Sequence, residues 1–425
     1  MPRRERLFRR RRRILPIVFS LVAGLIVGTG TYAGWKLIRT PPPPRVTLEV
    51  PPTLVVDPGS PPAIPLPAQG SFDLVSTDGG QLASLAPSAQ APIGSIVKVM
   101  DALVALQKMP LTAGADGPSY TIQASDVSDY YRVAAEGGSR LLVEVGEKFT
   151  ERQMLLALLL PSADNLADTL GVWVAGSDAA FVAQLNTQAA ALGMGQTHFA
   201  DDSGISPQTV SSAQDLVELG QAAMADPTLA SLVATQAAVM PDGKKVQNLD
   251  TNLGTVPGWL GIKTGSTTQA GGCLLFAAHH PAPVGSPEVQ LVGAILGQQL
   301  SGANDGLGPT LQAAAASVDA AFAAYDTVDL SRVAPPALPG SVSSAWGSRA
   351  GLLATWAGGP APVVVRKGTA LSLSSSVLAH LPNPVTGGSV VGHVTGRLAG
   401  TTVGTWIVTA TGDLGQPGWQ WLLTH

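Results

Sequence analysis

The 425-residue sequence has little charge, few aromatic residues and almost no cysteine. Charged residues make up 13% of the chain and aromatic residues 5%, whereas 45% of the residues are hydrophobic. This composition is typical of a globular protein and argues against a largely disordered chain. Because Cys273 is the only cysteine, no disulfide forms within the chain, and folding depends on a hydrophobic core. We interpret Cys273 as a small buried core residue, since it lies in an apolar stretch.

Metal-ligating patterns are also scarce. Of the six histidines, only His279 and His280 are adjacent, and they end a predicted strand with no carboxylate nearby. Such a pair is more typical of a surface than of a metal centre. The sequence therefore predicts no metal site and no cofactor.

Positive charge is concentrated at the amino terminus. Residues 1–40 carry a net charge of +9, with eight arginines before position 14, and the remainder carries −13. A nucleic-acid-binding protein would spread positive charge over its folded face, so this distribution argues against nucleic acid as a partner.

An uncharged segment follows the arginines. Residues 14–35 are long and apolar enough to cross a membrane, and flanking arginines hold that end in the cytoplasm. We predict a cytoplasmic tail at 1–13, a single transmembrane anchor at 14–35 and an extracytoplasmic remainder. A cleaved signal peptide is the alternative, but no small-residue cleavage site follows the segment.

The remaining chain divides by composition into three parts. Residues 36–68 are rich in proline, which predicts a semi-rigid spacer in which a short edge strand can be embedded. Residues 69–328 give strands, then helices, then strands and a helix, which predicts an α+β unit with an antiparallel sheet. Residues 335–425 predict a small all-β domain whose tryptophans fill its core rather than forming a carbohydrate platform.

Ser95 and Lys98 stand at the start of a predicted helix that is apolar nearly all round. Lys98 is the only charge in residues 91–100, and a lysine buried there needs a reason. At this spacing both side chains project from one helix face, so the amine reaches the hydroxyl. A lysine in an apolar pocket can remove the serine proton, and the helix amino terminus can stabilise an oxyanion. The pair predicts a serine nucleophile with a lysine base.

Two further strings complete the pattern. Ser162-Ala163-Asp164-Asn165 follows the helix stop at Pro161, and Lys263-Thr264-Gly265 lies on a predicted strand. Glycine at 265 lets a ligand backbone approach the strand closely, and the Lys263 amine and Thr264 hydroxyl can hold a carboxylate.

The three strings in this order resemble the signature of penicillin-binding proteins and serine β-lactamases. The wider strings 159–165 and 261–267 look like those of the low-molecular-mass D-alanyl-D-alanine carboxypeptidases, and the resemblance covers about residues 69–328. It implies an α+β transpeptidase fold of the penicillin-binding and β-lactamase type. Residues 382–392 resemble, more weakly, the β-rich carboxy-terminal domain of such enzymes.

The resemblance also implies a role for each site residue. Ser95 would be the nucleophile, Lys98 its base, and Ser162 the relay of a proton to the leaving amine. Lys263 and Thr264 would bind the terminal carboxylate of the substrate beside Gly265, and the N–H groups of Ser95 and Ser266 would form the oxyanion hole.

One position departs from the family pattern. The third residue of the Ser-x-Asn element is usually asparagine, whereas this chain has Asp164 followed by Asn165. Either Asn165 supplies the substrate-binding amide, or Asp164 takes that place and pairs with a lysine.

The implied function is removal of the terminal D-alanine from peptidoglycan stem peptides through an acyl-enzyme, without a cofactor and with β-lactam antibiotics as acylating partners. A D,D-endopeptidase would differ only in substrate reach. A β-lactamase would need a glutamate base, and residues 177–215 contain no glutamate. A non-catalytic wall-binding scaffold is a further alternative, motivated by Asp164.

Overall fold

The computed structural model describes residues 3–78, 80–112, 114–281, 288–300, 306–359 and 362–425, and only the backbone for residues 3–14. The chain is divided into two compact units. The terminal unit comprises Met1–Val56, Asp329–Ala361 and Ala370–His425, and the central unit comprises Asp57–Val328 and Pro362–Thr369.

The terminal unit begins with a long helix, α1 (Arg3–Ile38). Its segment Leu15–Ile38 has 24 residues, and the most apolar 18-residue window within it has a mean hydropathy of 1.7 and no buried residue. A helix of this length and composition is long and apolar enough to span a membrane. Two short strands follow, β1 (Arg45–Leu48) and β2 (Thr53–Val55).

The central unit combines helices with short and long strands. Its strands up to residue 328 are β3 (Ser71–Ser76), β4 (Gly80–Leu85), β5 (Ala91–Pro92), β6 (Ser119–Thr121), β7 (Lys148–Thr150), β8 (Val210–Ser211), β9 (Ala237–Val239), β10 (Lys245–Gln247), β11 (Trp259–Thr267), β12 (Gly271–His280), β13 (Val289–Gln298) and β14 (Tyr325–Val328). Its helices are α2 (Val97–Lys108), α3 (Ala124–Glu136), α4 (Glu151–Leu159), α5 (Asp164–Ala175), α6 (Asp178–Ala191), α7 (Ala213–Ala225), α8 (Pro227–Val233) and α9 (Gly308–Phe322). A 3-10 turn, Gly94–Ile96, leads into α2.

The main sheet of the central unit has the strand order β11-β12-β13-β3-β4, and every neighbouring pair is antiparallel. The amino-terminal strands join the later ones where β3 pairs with β13, with Phe72 opposite Ile295. The helices α2 to α8 are inserted between β4 and β11. This arrangement confirms the predicted α+β fold.

Local sequence signals set several helix starts. The Thr150 hydroxyl accepts from the Gln153 N–H at 3.2 Å, and the Gln153 side chain accepts from the Thr150 N–H at 3.1 Å, which forms a capping box at the start of α4. Helices α6, α7 and α8 have simpler caps, in which the side chains of Ser177, Ser212 and Asp226 accept from backbone N–H groups of the first turn. Helix α3 was not predicted.

Both faces of the main sheet are covered. Successive residues of β12 point to opposite sides, so Leu275 joins the core that contains α2, while Leu274 and Phe276 join the core under α9. Residues 97–106 of α2 are all buried, as its apolar surface predicts. Cys273 is also fully buried, which confirms its interpretation as a core residue.

The carboxy-terminal part of the chain is mostly strands. They are β15 (Gly340–Ser343), β16 (Arg349–Ala350), β17 (Leu352–Gly358), β18 (Val363–Arg366), β19 (Ala370–Val377), β20 (Val390–Leu398) and β21 (Thr401–Ala410), followed by the short helix α10 (Trp419–Thr424). β18 belongs to the central unit and pairs with β14. Helix α10 departs from the expectation of an all-β region.

The terminal unit contains two antiparallel sheets, with orders β17-β21-β20-β19-β2 and β1-β15-β16. Strands β1 and β2 come from the proline-rich segment 36–68. This segment, predicted as a spacer, therefore also supplies strands to both sheets. Trp406 is buried and meets Trp356 edge-on, with 5.3 Å between ring centroids, as expected for core tryptophans. Trp419 is exposed.

Candidate active site

Ser95 and Lys98 meet at the start of α2. The Lys98 Nζ lies 2.8 Å from the Ser95 Oγ, 2.6 Å from the Asp164 Oδ1 and 2.6 Å from the Ser203 carbonyl oxygen. Lys98 is fully buried, whereas Ser95 is half-buried. The hydroxyl is therefore held against a buried amine on one side while the other side stays accessible.

Glycines allow backbone to pack tightly around Ser95. A Cβ at Gly265 on β11 would lie 2.6 Å from the Ile93 carbonyl oxygen and 3.2 Å from the Ser95 nitrogen. Gly204 has φ +78°, and a Cβ there would lie 2.0 Å from the Gly94 carbonyl oxygen. Only residues without a side chain fit these approaches, which bring β11 and the loop 201–204 against the serine.

Asp164 and Asn165 have separate partners. The Asp164 carboxylate forms an ion pair with Lys98, and its backbone N–H donates to the Ser139 carbonyl at 2.8 Å. The fully buried Asn165 amide donates to and accepts from the Leu141 backbone, at 3.0 Å each. Of the two alternatives left by the sequence, the structure has the aspartate paired with a lysine. Asn165 fastens the segment 139–141 instead of facing a ligand.

Ser162 lies between α4 and α5 in a strained conformation. Its φ is +65°, a left-handed value that non-glycine residues rarely adopt. Its Oγ is buried and has no hydrogen-bond partner among the described residues. Backbone strain together with an unbonded hydroxyl is typical of functional positions.

Lys263 lies on β11 and is almost fully buried. Its Nζ donates to the Thr264 carbonyl at 3.1 Å. Burial, followed by repulsion from Lys98, lowers the pKa of Lys263 to about 7. Thr264 and Gly265 are buried beside it, and Ser266 is half-buried.

A cavity of about 360 Å³ opens in front of Ser95. Its lining comes from the nucleophile region, from the loop after α3, from the loop 204–205 and from the end of β11. The residues are Ser95, Glu136, Gly137, Gly138, Ser139, Asp164, Gly204, Ile205, Ser266, Thr267, Thr268 and Gln269. Thus Ser95, Asp164 and Ser266 reach the cavity directly, while Lys98 and Lys263 lie behind its wall.

Some contributors were not found from the sequence. The Ser203 carbonyl binds Lys98, yet a backbone carbonyl has no side-chain signature. The loop 137–139 lines the cavity because α3 ends at Glu136, with Gly137 in the left-handed conformation. Glycine in this conformation is a common helix end, so a prediction of α3 would also have located this loop.

Comparisons with known proteins agree with this geometry. Residues 68–284 match the Peptidase_S11 family, described as D-alanyl-D-alanine carboxypeptidase. The chain belongs to this family. Membership of this family makes it a serine hydrolase. The resemblance to D-alanyl-D-alanine carboxypeptidases that the sequence indicated is confirmed.

Individual relatives point the same way. The chain is 36% identical to D-alanyl-D-alanine carboxypeptidase DacB2 of Mycobacterium tuberculosis, over 50% of this chain and 70% of the relative. It is 34% identical to a D-alanyl-D-alanine carboxypeptidase of Streptomyces sp. strain K15, over 50% and 76%. A D-alanyl-D-alanine endopeptidase of Pseudomonas aeruginosa is 30% identical over 63% and 78%.

A solved structure has the same fold. The crystal structure of the Streptomyces K15 DD-transpeptidase aligns with a TM-score of 0.52 and 28% sequence identity, covering 61% of this chain and 99% of that chain.

Proposed function

We propose that the protein is a serine-type D-alanyl-D-alanine carboxypeptidase that trims the terminal D-alanine of peptidoglycan stem peptides through an acyl-enzyme on Ser95. The observation that carries this proposal is the 2.8 Å contact between the Lys98 Nζ and the Ser95 Oγ at the wall of an open cavity. A base at that distance is within reach of the hydroxyl proton.

The three contacts of Lys98 suit both protonation states. As an ammonium it donates to Ser95, Asp164 and the Ser203 carbonyl, which uses all three of its N–H groups. As a neutral amine it donates to the latter two and accepts the Ser95 O–H through its lone pair. The amine can therefore take the serine proton without moving its partners.

Asp164 determines how easily this exchange occurs. The Asp164 carboxylate lies 2.6 Å from the Lys98 Nζ, so Asp164 compensates the positive charge that the lysine gains during attack. Burial raises the pKa of Asp164 despite the nearby Lys98. We therefore assign Asp164 the role of counterion to the base.

The attack itself uses the backbone around Ser95. The Ser95 Oγ adds to the carbonyl carbon between the two terminal D-alanines, and the N–H groups of Ser95 and Ser266 stabilise the oxyanion. A Cβ on Gly94, the residue before Ser95, would lie only 3.1 Å from the Ser266 nitrogen. The backbone N–H groups of Ser95 and Ser266 are therefore close to each other. The unbonded Ser162 hydroxyl passes a proton to the departing amine as the C–N bond breaks.

Recognition of the peptide end falls to β11. The Lys263 ammonium and the Thr264 hydroxyl bind the terminal carboxylate, and Gly265 admits the peptide backbone. Water then hydrolyses the ester, which releases the shortened peptide and restores the Ser95 hydroxyl. A β-lactam carbonyl acylates Ser95 by the same addition, but its leaving amine stays attached.

The helix α1 fits a membrane anchor. Its apolar segment follows eight arginines, so we assign the amino terminus to the cytoplasm and the central unit to the opposite side, where peptidoglycan lies. Protease treatment of intact cells should digest the central unit and spare an amino-terminal tag.

The test combines covalent labelling with turnover. We expect the full chain in detergent to be labelled by a fluorescent penicillin and to release D-alanine from a pentapeptide. Ser95→Ala should abolish both signals, whereas Ser128→Ala, an exposed serine on α3, should change neither. A wild-type protein that folds but gives neither signal would overturn the proposal.

Endopeptidase activity is the second candidate, because relatives of Pseudomonas aeruginosa and Escherichia coli carry that name. A cross-linked muropeptide dimer offered alongside the pentapeptide separates the two. Faster cleavage of the dimer than of the pentapeptide would reassign the substrate while keeping Ser95 as nucleophile.

A further inference from the structure

Three carboxylates outside the active site converge in the central unit. Asp168 lies on α5, Asp178 is the first residue of α6, and Asp202 lies in the loop 201–204. One oxygen from each lies within 4.8 Å of the other two. Asp178 is exposed, Asp168 half-buried and Asp202 buried, so the group leads from solvent into the interior.

Asp202 supplies a second, independent indication of a ligand site. Its side chain belongs to a residue that is only 3% exposed, and its Oδ2 has no hydrogen-bond partner among the described residues. That oxygen approaches α5 closely, since a Cβ on Gly171, one turn after Asp168, would lie only 3.0 Å from it. A buried carboxylate without a partner is costly, and native structures rarely keep one.

The charge of the group calls for a cation of two positive charges. Arg132 donates to Asp168 in the one ion pair that the described residues give these three carboxylates. When all three are ionised, two negative charges remain uncompensated.

We infer that Asp168, Asp178 and Asp202 bind a hard divalent cation, with Ca²⁺ as the best fit. Carboxylate oxygens are the donors that such cations prefer, and Ca²⁺ accepts irregular oxygen geometries, whereas Mg²⁺ demands a near-ideal octahedron. Water completes the coordination on the exposed side of Asp178. Neither the family assignment nor the proposed reaction predicts this site.

The cation would join three elements near the catalytic base. It ties α5 and α6, whose axes meet at 85°, to the loop 201–204. Ser203, the next residue after Asp202, holds the Lys98 Nζ through its carbonyl. A bound cation would thus restrict the motion of Ser203, whose carbonyl binds Lys98. Cation binding itself can be measured without any enzymatic turnover.

Calcium titration of the chelator-treated full chain in detergent tests the site. We expect one Ca²⁺ per chain by calorimetry and a saturable rise in Tm of about 5 °C at 100-fold above the Kd. MgCl₂ should act more weakly, and KCl at equal ionic strength should have no effect. Absence of a saturable shift up to about 10 mM CaCl₂, above the usual affinities of extracellular calcium modules, would overturn the inference. An equal shift with KCl would overturn it as well.

Variants separate a bound cation from a structural role. Asp178→Asn should lose the calcium shift while its Tm without calcium stays unchanged, since the side chain is exposed. Asp202→Asn should also lose the shift, yet its Tm without calcium should rise, because a buried negative charge is removed. Asp319→Asn, an exposed aspartate on α9, should keep the full shift. Retention of the shift in both Asp178→Asn and Asp202→Asn would refute the assignment.

Discussion

The surroundings of Lys98 and of Asp202 both include the loop 201–204, but they differ in how many hydrogen bonds the buried charge receives. Around Lys98, each N–H of the ammonium has an acceptor within 2.8 Å. Around Asp202, an oxygen of a buried carboxylate has no acceptor or donor within reach, and both oxygens of the buried Asp101 also lack one among the described residues. A buried charge that is fully bonded defines one geometry, whereas an unbonded one favours taking up a proton or a cation.

The largest effect is expected from removing the paired base. Lys98→Ala should lower kcat/KM for a pentapeptide by at least about 100-fold and up to about 10⁴-fold, as for loss of a general base. The control is Lys108→Ala, at the exposed end of the same helix, which should stay within twofold. Because Lys98→Ala also leaves Asp164 unpaired, its fold should be checked by circular dichroism. A folded variant with wild-type turnover would remove Lys98 from the mechanism.

The second buried lysine should give the protein a pH dependence. The pKa of Lys263 is lowered to about 7, so its ammonium is present below that pH and lost above it. If Lys263 binds the substrate carboxylate, kcat/KM should fall about tenfold per pH unit on the alkaline side. Lys263→Arg should abolish this fall, because arginine stays protonated. An alkaline limb that persists unchanged in Lys263→Arg would assign the titration to another group.

A smaller change is expected at the counterion. Asp164→Asn removes the carboxylate that compensates the positive charge gained by Lys98 during attack, so kcat should fall while KM changes little. Turnover near neutral pH should change by less than about tenfold, since the amide can still accept from the lysine. Asp242→Asn, on the surface, is the matched control. An unchanged kcat would exclude Asp164 as the counterion.

The smallest effect concerns stability, and it extends the comparison to a buried carboxyl far from substrate. Glu151 is fully buried, both of its oxygens lack hydrogen-bond partners among the described residues, and burial raises its pKa from 4.5 to about 7. An acid whose pKa is raised on folding loses stability as pH rises from 4.5 to about 7, and the loss is complete above that range.

Glu151→Gln should therefore raise the free energy of unfolding at alkaline pH by on the order of 2 kcal/mol and leave activity unchanged. Urea unfolding at pH values below 4.5 and above 7 measures this difference. Equal stabilities of the two proteins at alkaline pH would show that Glu151 has a partner when ionised.

The sequence predicted those parts of the site that depend on side-chain identity and short-range spacing. Ser95 and Lys98 meet because one helical turn separates them, and α4 starts at Thr150 because its cap is local. The choice between Asp164 and Asn165 needed the structure, since the two side chains differ by about 100° of rotation around the axis of α5. The Ser203 carbonyl and the acidic group around Asp202 also stayed hidden, because residues distant in sequence meet there only after folding.

The early strands β1 and β2 bear on how the protein should be handled. Six residues separate the end of α1 from β1, so the sheet containing β1 starts within about 25 Å of the helix end. A soluble form cut at Asp57 would lack both strands and bare the hydrogen-bonding edges of β15 and β19, a known route to aggregation. Cutting between Ile38 and Arg45 should instead yield a well-behaved, detergent-free preparation.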